Sequence, residues 1–262
     1  MSTKKKVTAV VYRQDNIAEG IYDMWIETDL AREAKPGQFI SVYPKDTSAL
    51  LPRPISICEV NEEKTRLRIV YRVAGKGTKE FSGYSAGEEI TILGTLGNGF
   101  PVEKAASKKV FLMGGGIGIP PMLELAKQIK KTRGITPQII VGYRDHDTFL
   151  KEDLEKYGDV YIATEDGSVG SKGNVMNAIE EKGLCADIIF ACGPMPMLRA
   201  IKQYAAEQKI EAYISLEERM ACGVGACLGC VCKTKEVDHH SHVHNARVCT
   251  DGPVYEAGEV EI

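Results

Sequence analysis

Over the first hundred residues the chain sets apolar positions against polar ones in short runs. Val7-Thr8-Ala9-Val10-Val11, Tyr22-Asp23-Met24-Trp25-Ile26, Phe39-Ile40-Ser41-Val42-Tyr43, Arg66-Leu67-Arg68-Ile69-Val70-Tyr71 and Glu89-Ile90-Thr91-Ile92-Leu93 are rich in β-branched and aromatic residues, and Arg53-Pro54-Ile55-Ser56-Ile57 lies among them, readable on its own as an edge strand. Turn formers such as Lys35-Pro36-Gly37-Gln38 and Ala86-Gly87-Glu88 punctuate them. Strands this short and this regularly spaced predict a six-stranded antiparallel barrel over residues 1–102. After Pro101 the pattern changes. Lys109-Val110-Phe111-Leu112-Met113 is continuously apolar, a glycine-rich turn follows, and residues 120–131 carry Met122, Leu123, Leu125, Ala126 and Ile129 near helical spacing. Further apolar strands at 138–143, 160–163, 187–191 and 211–216 alternate with helices at 148–157, 173–181 and 196–207. Repeated β-α alternation with fully apolar strands predicts a doubly wound parallel sheet over 103–214. Residues 215–262 form a third region, defined by cysteine. The fold class is thus β followed by α/β, with a small C-terminal cluster-binding segment.

Composition narrows the function. A net charge of −3 gives no reason to invoke nucleic acid or an anionic membrane. The basic run Lys4-Lys5-Lys6 reads as a solvated terminus. No apolar stretch approaches the roughly 20 residues a bilayer span needs, and no apolar core follows the basic start as in a signal peptide. The expectation is a cytoplasmic protein with no membrane partner. Five of the eight cysteines crowd into positions 222–249. A reducing compartment disfavours disulfides, so this crowding points to metal or a cluster.

Cys222, Cys227, Cys230 and Cys249 follow C-x4-C-x2-C with a distal cysteine, the plant-type ferredoxin spacing for a [2Fe–2S] cluster. Gly223, Gly225 and Gly229 let a loop wrap tightly, and its N–H groups can point at sulfur. A structural zinc site is the competing reading, since x2 cysteine pairs and the nearby His239, His240, His242 and His244 both occur in zinc proteins. The C-x4-C-x2-C start is atypical for zinc. Cys232 falls outside the spacing and is read as a spectator, and the histidine run as an exposed loop. Cys58 and Cys185 read as small buried hydrophobes.

Two further motifs suit dinucleotides. Gly114-Gly115-Gly116-Ile117-Gly118-Ile119-Pro120-Pro121 lies between a strand and a helix, where glycines admit phosphate to a helix N-terminus and proline suits the first helical turn. It departs from G-x-G-x-x-G, and an unliganded turn is the bland alternative. Cys192-Gly193-Pro194 closes a second apolar strand and marks a second crevice at the carboxyl end of the sheet. Glu165-Asp166-Gly167, ending the strand over 160–163, would repel a 2′-phosphate and so favours NADH over NADPH. In the barrel, Arg53 suits a pyrophosphate and Ser56 a flavin edge, and Gly75-Lys76-Gly77-Thr78 offers a tight turn with a hydroxyl.

In this order the motifs resemble the ferredoxin–NADP reductase superfamily: Arg53-Pro54-Ile55-Ser56 its flavin motif, Gly77-Thr78 its pyrophosphate turn, Gly114–Pro121 and Cys192-Gly193-Pro194 its nicotinamide motifs. Residues 215–230, Val248-Cys249-Thr250-Asp251-Gly252-Pro253-Val254 and Gly94-Thr95-Leu96-Gly97-Asn98-Gly99-Phe100 narrow the resemblance to electron-transfer subunits of type B dihydroorotate dehydrogenase. That resemblance covers essentially the whole chain. It implies FAD along Arg53, Pro54, Ile55, Ser56, Val70, Tyr71, Arg72, Gly77 and Thr78, and NAD(H) as co-substrate at Gly114, Gly115, Gly116, Gly118, Cys192, Gly193 and Pro194. It also implies an FMN-containing catalytic subunit as partner, in a heterotetramer of two of each, in pyrimidine biosynthesis. No side chain is expected to act as acid or base. Similar builds occur in bifurcating ferredoxin–NADP oxidoreductases and sulfide dehydrogenases. A stand-alone NADH reductase and a non-enzymatic zinc module are the remaining alternatives.

Overall fold

In the computed structural model, which describes residues 4–237 and 242–262, the five alternating runs and the Arg53–Ile57 motif become strands. They are β1 (Lys5–Ala18), β2 (Ile21–Glu27), β3 (Phe39–Tyr43), β4 (Arg53–Val60), β5 (Arg66–Arg72) and β6 (Glu89–Leu96). Every neighbouring pair is antiparallel, and the barrel closes in the order β1-β2-β5-β4-β3-β6. Alternation sorts the side chains. Ile40 and Val42 of β3, Ile55 and Ile57 of β4, and Leu67, Ile69 and Tyr71 of β5 fill one core with Met24, Ile26, Ile90 and Ile92. Each such aliphatic side chain contributes about 1.5–3 kcal/mol by leaving water. The residues between them, among them Ser41, Pro54, Ser56, Val70 and Arg72, therefore stand on the outer face.

Two features of the barrel exceed what the pattern predicts. β1 runs on to Ala18, because register shifts after Val11 and Asn16 bend it from β6 across to β2. Its polar stretch Arg13-Gln14-Asp15-Asn16 hides this continuation from periodicity. A short helix, α1 (Lys76–Phe81), replaces the expected turn. It forms because the Thr78 hydroxyl accepts the N–H groups of Ala74 and Gly75 at 2.8 and 3.2 Å, while Phe81 buries itself in the barrel core.

The remaining chain supplies β7 (Val110–Gly115), α2 (Pro120–Arg133), β8 (Gln138–Tyr143), α3 (Lys151–Glu155), β9 (Asp159–Thr164), β10 (Ser171–Lys172), α4 (Val175–Lys182), β11 (Ile188–Cys192), α5 (Met195–Gln208) and β12 (Glu211–Ser215). The cysteine segment adds β13 (Val231–Thr234), β14 (Asn245–Arg247), β15 (Val254–Glu256) and β16 (Val260–Glu261). The larger sheet has the order β10-β9-β8-β7-β11-β12-β15. All its pairings are parallel except the last, in which β15 runs antiparallel to β12 and covers an otherwise open edge. The expected parallel sheet is thus present with one antiparallel edge strand from the C-terminal segment. Helix α3 is shorter than the expected 148–157 because Leu150 takes a φ of 65°. β14, β13 and β16 form a small third sheet.

The chain divides into two units. One comprises Met1–Gly99, Glu217–Cys232 and Ala246–Pro253, the other Phe100–Leu216, Lys233–Asn245 and Val254–Ile262. Residues 215–262 contribute to both. The stretches bearing the four spaced cysteines belong with the barrel.

Candidate functional site

Within the barrel unit the four cysteines come together as two pairs. The Sγ atoms of Cys222 and Cys227 are 3.4 Å apart. Cys230 lies against Cys249, and Val248 N donates to Cys230 O at 2.8 Å, tying the distal segment to the loop. The loop turns its amides inward. Val224 N and Cys227 N each donate to Cys222 Sγ at 3.4 Å. Burial raises the Cys222 thiol, but these donors, with Ala226 N–H and the Cys227 thiol, outweigh it and bring it down to about 6. Cys249 goes the other way: burial first, then its neighbour Cys230, push it up to about 12, with Gly225 N–H opposing.

This donor set fits a two-iron cluster. Two thiols in contact do not both ionise at neutral pH unless a cation lies between them, and coordination to a metal removes the proton outright. Four soft thiolates suit iron and sulfide. Among the described residues no three Cys, His, Asp or Glu side chains converge as one ion requires, whereas two sulfur pairs match one pair per iron. Cys232 stands half-buried in β13. It is two positions from Cys230, and i and i+2 share a side of an extended chain. His239 and His240 lie outside the described residues. His244 Nδ1 is engaged with Lys235 O at 2.9 Å.

The barrel's outer face positions the cluster loop. A methyl on Gly223 would meet Ser41 Oγ of β3 at 3.2 Å and Leu96 Cδ1 of β6 at 3.4 Å, so the loop lies directly on those strands. The turn holding Cys249 is anchored beside it. Asn98 N donates to Gly252 O at 2.6 Å, and its side-chain amide donates to Thr250 O at 3.2 Å and Asp251 O at 3.0 Å. A side chain at Gly97 would strike Pro253, with Gly252 O only 2.9 Å away. The Gly94–Phe100 stretch thus has a physical role that residue types alone did not supply. The basic N-terminus is also more than a solvated end: Lys4 Nζ donates to Val224 O at 3.4 Å, and Lys6 lies over the Tyr43 ring at 4.0 Å.

The flavin motif lies one strand away. Ser41 of β3 pairs with Pro54 of β4, and Phe39 with Ser56. Pro54 and Ser56 are outward, Ile55 inward. Arg53 folds its guanidinium over the start of α1: a methyl on Gly77 would meet its Nε at 2.9 Å and Cζ at 3.0 Å. A planar cation against a bare helix start fits a pyrophosphate. Thr78 spends its hydroxyl on the turn itself. Val70 and Arg72 face outward. Tyr71 points into the core and donates from its hydroxyl to Gln14 Oε1 at 2.8 Å, leaving only its main chain for a ligand.

In the sheet unit, β7 and β11 are adjacent, and the strand order reverses between them. The crevice at such a reversal is where dinucleotides bind in open α/β sheets. Both expected motifs end these two strands, and Gly114 pairs directly with Cys192. The glycines serve close packing. A methyl on Gly115 would meet Met197 Sδ at 2.5 Å, and one on Gly118 would meet the Cys192 carbonyl carbon at 2.5 Å and Gly193 N at 2.6 Å. Gly116 takes a φ of 53°, and Pro120 opens α2. Cys192 is buried, and Pro194 caps α5. After β9, Asp166 accepts Ser168 N and Oγ at 2.9 and 2.7 Å, which lowers its pKa. Its carboxylate shapes the turn, and Glu165 is left exposed.

Residues 217–261 match the family model for the iron-sulfur cluster binding domain of dihydroorotate dehydrogenase B. The dihydroorotate dehydrogenase B (NAD(+)) electron transfer subunit of Bacillus cereus is 44% identical over 260 residues, 98% of each chain. The chain belongs to the family of dihydroorotate dehydrogenase B electron transfer subunits. The Bacillus anthracis family member is 43% identical with the same coverage. Among solved structures, an NADH-dependent reduced ferredoxin-NADP oxidoreductase studied for flavin-based electron bifurcation aligns with a TM-score of 0.86 and 28% identity, covering 97% of this chain and 89% of the other. A Neisseria gonorrhoeae ferredoxin NADP+ reductase with bound FAD and NADP shares the fold with a TM-score of 0.66 and 17% identity, over 78% and 91% of the chains. This family member therefore has the ferredoxin–NADP reductase fold followed by an iron–sulfur segment. Sequence reasoning had given Arg247 and Asp251 no role. Asp251 entered only as a member of the Val248–Val254 motif and Arg247 not at all, yet across Cys249 the two form an ion pair at 3.1 Å.

Proposed function

We propose that this chain carries electrons between NAD(H) and a [2Fe–2S] cluster by way of FAD, as the electron transfer subunit of an NAD-dependent dihydroorotate dehydrogenase. The observation that carries the reading is the pair of cysteine pairs on a loop seated on the same outer barrel face as Pro54 and Ser56. Bound FAD supplies the exchange between two-electron hydride chemistry and the one-electron steps of an iron–sulfur cluster. The chain's own residues bind, orient and tune. Arg53, at the start of α1 beside Gly77, would hold the FAD pyrophosphate, and Ser56, on the outer face with Pro54, Val70 and Arg72, would meet the flavin. Ile55, Tyr71 and Thr78 shape this site from behind. Gly114, Gly115, Gly116 and Gly118 at the start of α2, with Cys192-Gly193-Pro194, hold NAD(H). Cys222, Cys227, Cys230 and Cys249 hold the irons. In functional terms residues 1–102 serve FAD, 103–214 NAD(H) and 215–262 the cluster.

The partner is a catalytic subunit containing FMN, in a heterotetramer of two copies of each, working in the cytoplasm. Support comes from the names of relatives matched over 98% of both chains. Among the described residues no helix is long and apolar enough to cross a membrane. The test is iron, flavin and subunit analysis of the purified protein, with Cys227→Ser beside it. The expected result is FAD, iron and a co-purifying FMN subunit that oxidises dihydroorotate. Cys227→Ser should lose the cluster's visible absorption and keep FAD reduction by NADH. Zinc in place of iron would overturn the cluster, and a co-purifying ferredoxin-dependent subunit would transfer the chain to the bifurcating build.

A further inference from the structure

Two carbonyls of the cluster loop, Val224 O and Gly225 O, are held by cations. Arg247 Nη1 donates to Gly225 O at 3.4 Å. Its own position is pinned by Asp251, which accepts Arg247 N at 2.8 Å, Nε at 3.1 Å and Nη2 at 3.3 Å. The turn closes on Arg247, whose carbonyl accepts from Thr250 N at 3.0 Å and Asp251 N at 2.8 Å. Lys4 Nζ does for Val224 O, at 3.4 Å and exposed, what Arg247 does for Gly225 O.

The consequence follows from peptide geometry. In a trans peptide the C=O of one residue and the N–H of the next point in opposite directions within one plane. Among the described residues the cis bonds are Gly94–Thr95 and Gly252–Pro253, and the peptides after Val224 and Gly225 are trans. A grip on Gly225 O from outside therefore aims Ala226 N–H inward, where it acts on Cys222. A grip on Val224 O aims Gly225 N–H, which acts on Cys249. Gly225 permits this with a φ of 84°, and a methyl there would press Thr250 Cγ2 at 2.8 Å.

We propose that Arg247, held by Asp251, is a positioning residue that sets the N–H···S network of the cluster and so raises its reduction potential, with Lys4 as a weaker second clamp. Inward amides favour the reduced cluster, which carries one more negative charge. This rests on the reading that the four cysteines hold a [2Fe–2S] cluster. A plain charge effect makes a different prediction for Asp251→Asn. Removing a nearby negative charge raises the potential by Coulomb's law, whereas loosening Arg247 lowers it.

The test is an EPR-monitored redox titration of the purified protein with its co-purifying subunit, comparing the unaltered chain with Arg247→Gln and Asp251→Asn. Both variants are expected to lower the one-electron reduction constant at least threefold, a downward shift of about 28 mV at 59 mV per decade, with the FAD potential unmoved. A smaller fall in Arg247→Gln, or an unmoved or raised potential in Asp251→Asn, overturns the clamp. If either variant loses iron, Arg247→Lys is read against the same threshold, since it keeps the charge and loses the planar fork. Iron missing from the unaltered protein sinks the cluster reading itself. Iron present with unmoved variants sinks the clamp alone.

Discussion

Replacing Gly77 by alanine sets two effects of opposite sign against each other. Gly77 lies in the first turn of α1, away from the left-handed region. Backbone propensity alone makes alanine there favourable by up to about 1 kcal/mol. The added methyl, however, would meet Arg53 Nε at 2.9 Å and Cζ at 3.0 Å. The flexible end that yields is the guanidinium, so the helix survives and Arg53 withdraws from the start of α1. A charge-assisted hydrogen bond of the kind Arg53 would make to phosphate is worth roughly 1.5–3 kcal/mol. At about 1.4 kcal/mol per decade, FAD affinity should fall roughly ten- to hundredfold. Arg53→Ala should cost about the same. In the double variant the methyl has nothing left to displace, so Gly77→Ala should add no more than about 0.5 kcal/mol to Arg53→Ala. The assay is FAD titration of deflavinated protein followed by flavin fluorescence, with thermal unfolding of the flavin-free forms as the control for α1. FAD affinity within twofold of normal in Gly77→Ala, or a Gly77→Ala penalty undiminished in the Arg53→Ala background, would refute the argument that these residues form one phosphate grip.

Other positions give independent checks. Gly118→Ala sets a methyl against backbone at Cys192 and Gly193, which yields at a cost of roughly 1–3 kcal/mol. Stopped-flow reduction of FAD by NADH should slow about tenfold or more, with FAD and iron contents retained, and an unchanged rate would remove that turn from the nicotinamide site. Glu211 has a pKa lowered from 4.5 to about 2 by hydrogen bonds from Lys104, then Lys108 and Tyr213. A depressed carboxylate stabilises the fold above its unfolded pKa and loses that contribution as pH falls toward its folded one. The Tm deficit of Glu211→Gln should therefore be constant above about pH 5 and shrink between pH 4.5 and 2, and a deficit that grows on acidification contradicts the ion cluster.

Local features of the chain were legible because their physics is local. Period-two runs became barrel strands, since alternation needs only nearest neighbours to sort Ile40 and Val42 from Ser41. The C-x4-C-x2-C spacing was readable for the same reason: a loop that short can only wrap something small. Cooperative and long-range features were not. Helix α1 forms because Thr78 captures the amides of Ala74 and Gly75 while Phe81 enters the barrel, and neither event shows in a run of Gly-Lys-Gly-Thr. β15 pairs across the chain to an edge that exists only after the sheet has formed. Arg247 was invisible for a further reason. An arginine two residues before a cysteine is commonplace, and its meaning depends on which carbonyl it reaches. The departure from G-x-G-x-x-G at Gly114–Pro121 is also explained. Gly115 and Gly118 are placed by close packing against Met197, Cys192 and Gly193, which brings the ends of β7 and β11 together at the proposed NAD(H) site.

With FAD on β4 and the cluster on the Cys222 loop, as proposed above, the barrel would join two groups far apart in sequence, and electron exchange between them weakens steeply with distance. β3 is the shared ruler. On one side Ser41 pairs with Pro54 of the flavin strand, and on the other it pairs with Leu93 of β6. The loop bearing Cys222 lies on Ser41 and Leu96, and the turn bearing Cys249 hangs from Asn98, just past the end of β6. Neighbouring strands sit about 4.8 Å apart, so the offset between the flavin strand and the cluster loop is set by hydrogen-bond ladders rather than by a hinge. A closed barrel has no free edge along which that ladder can slip. Seating the cysteines on the barrel by Gly223 and Asn98 therefore turns a separation that a flexible C-terminal segment would leave variable into one fixed by strand register.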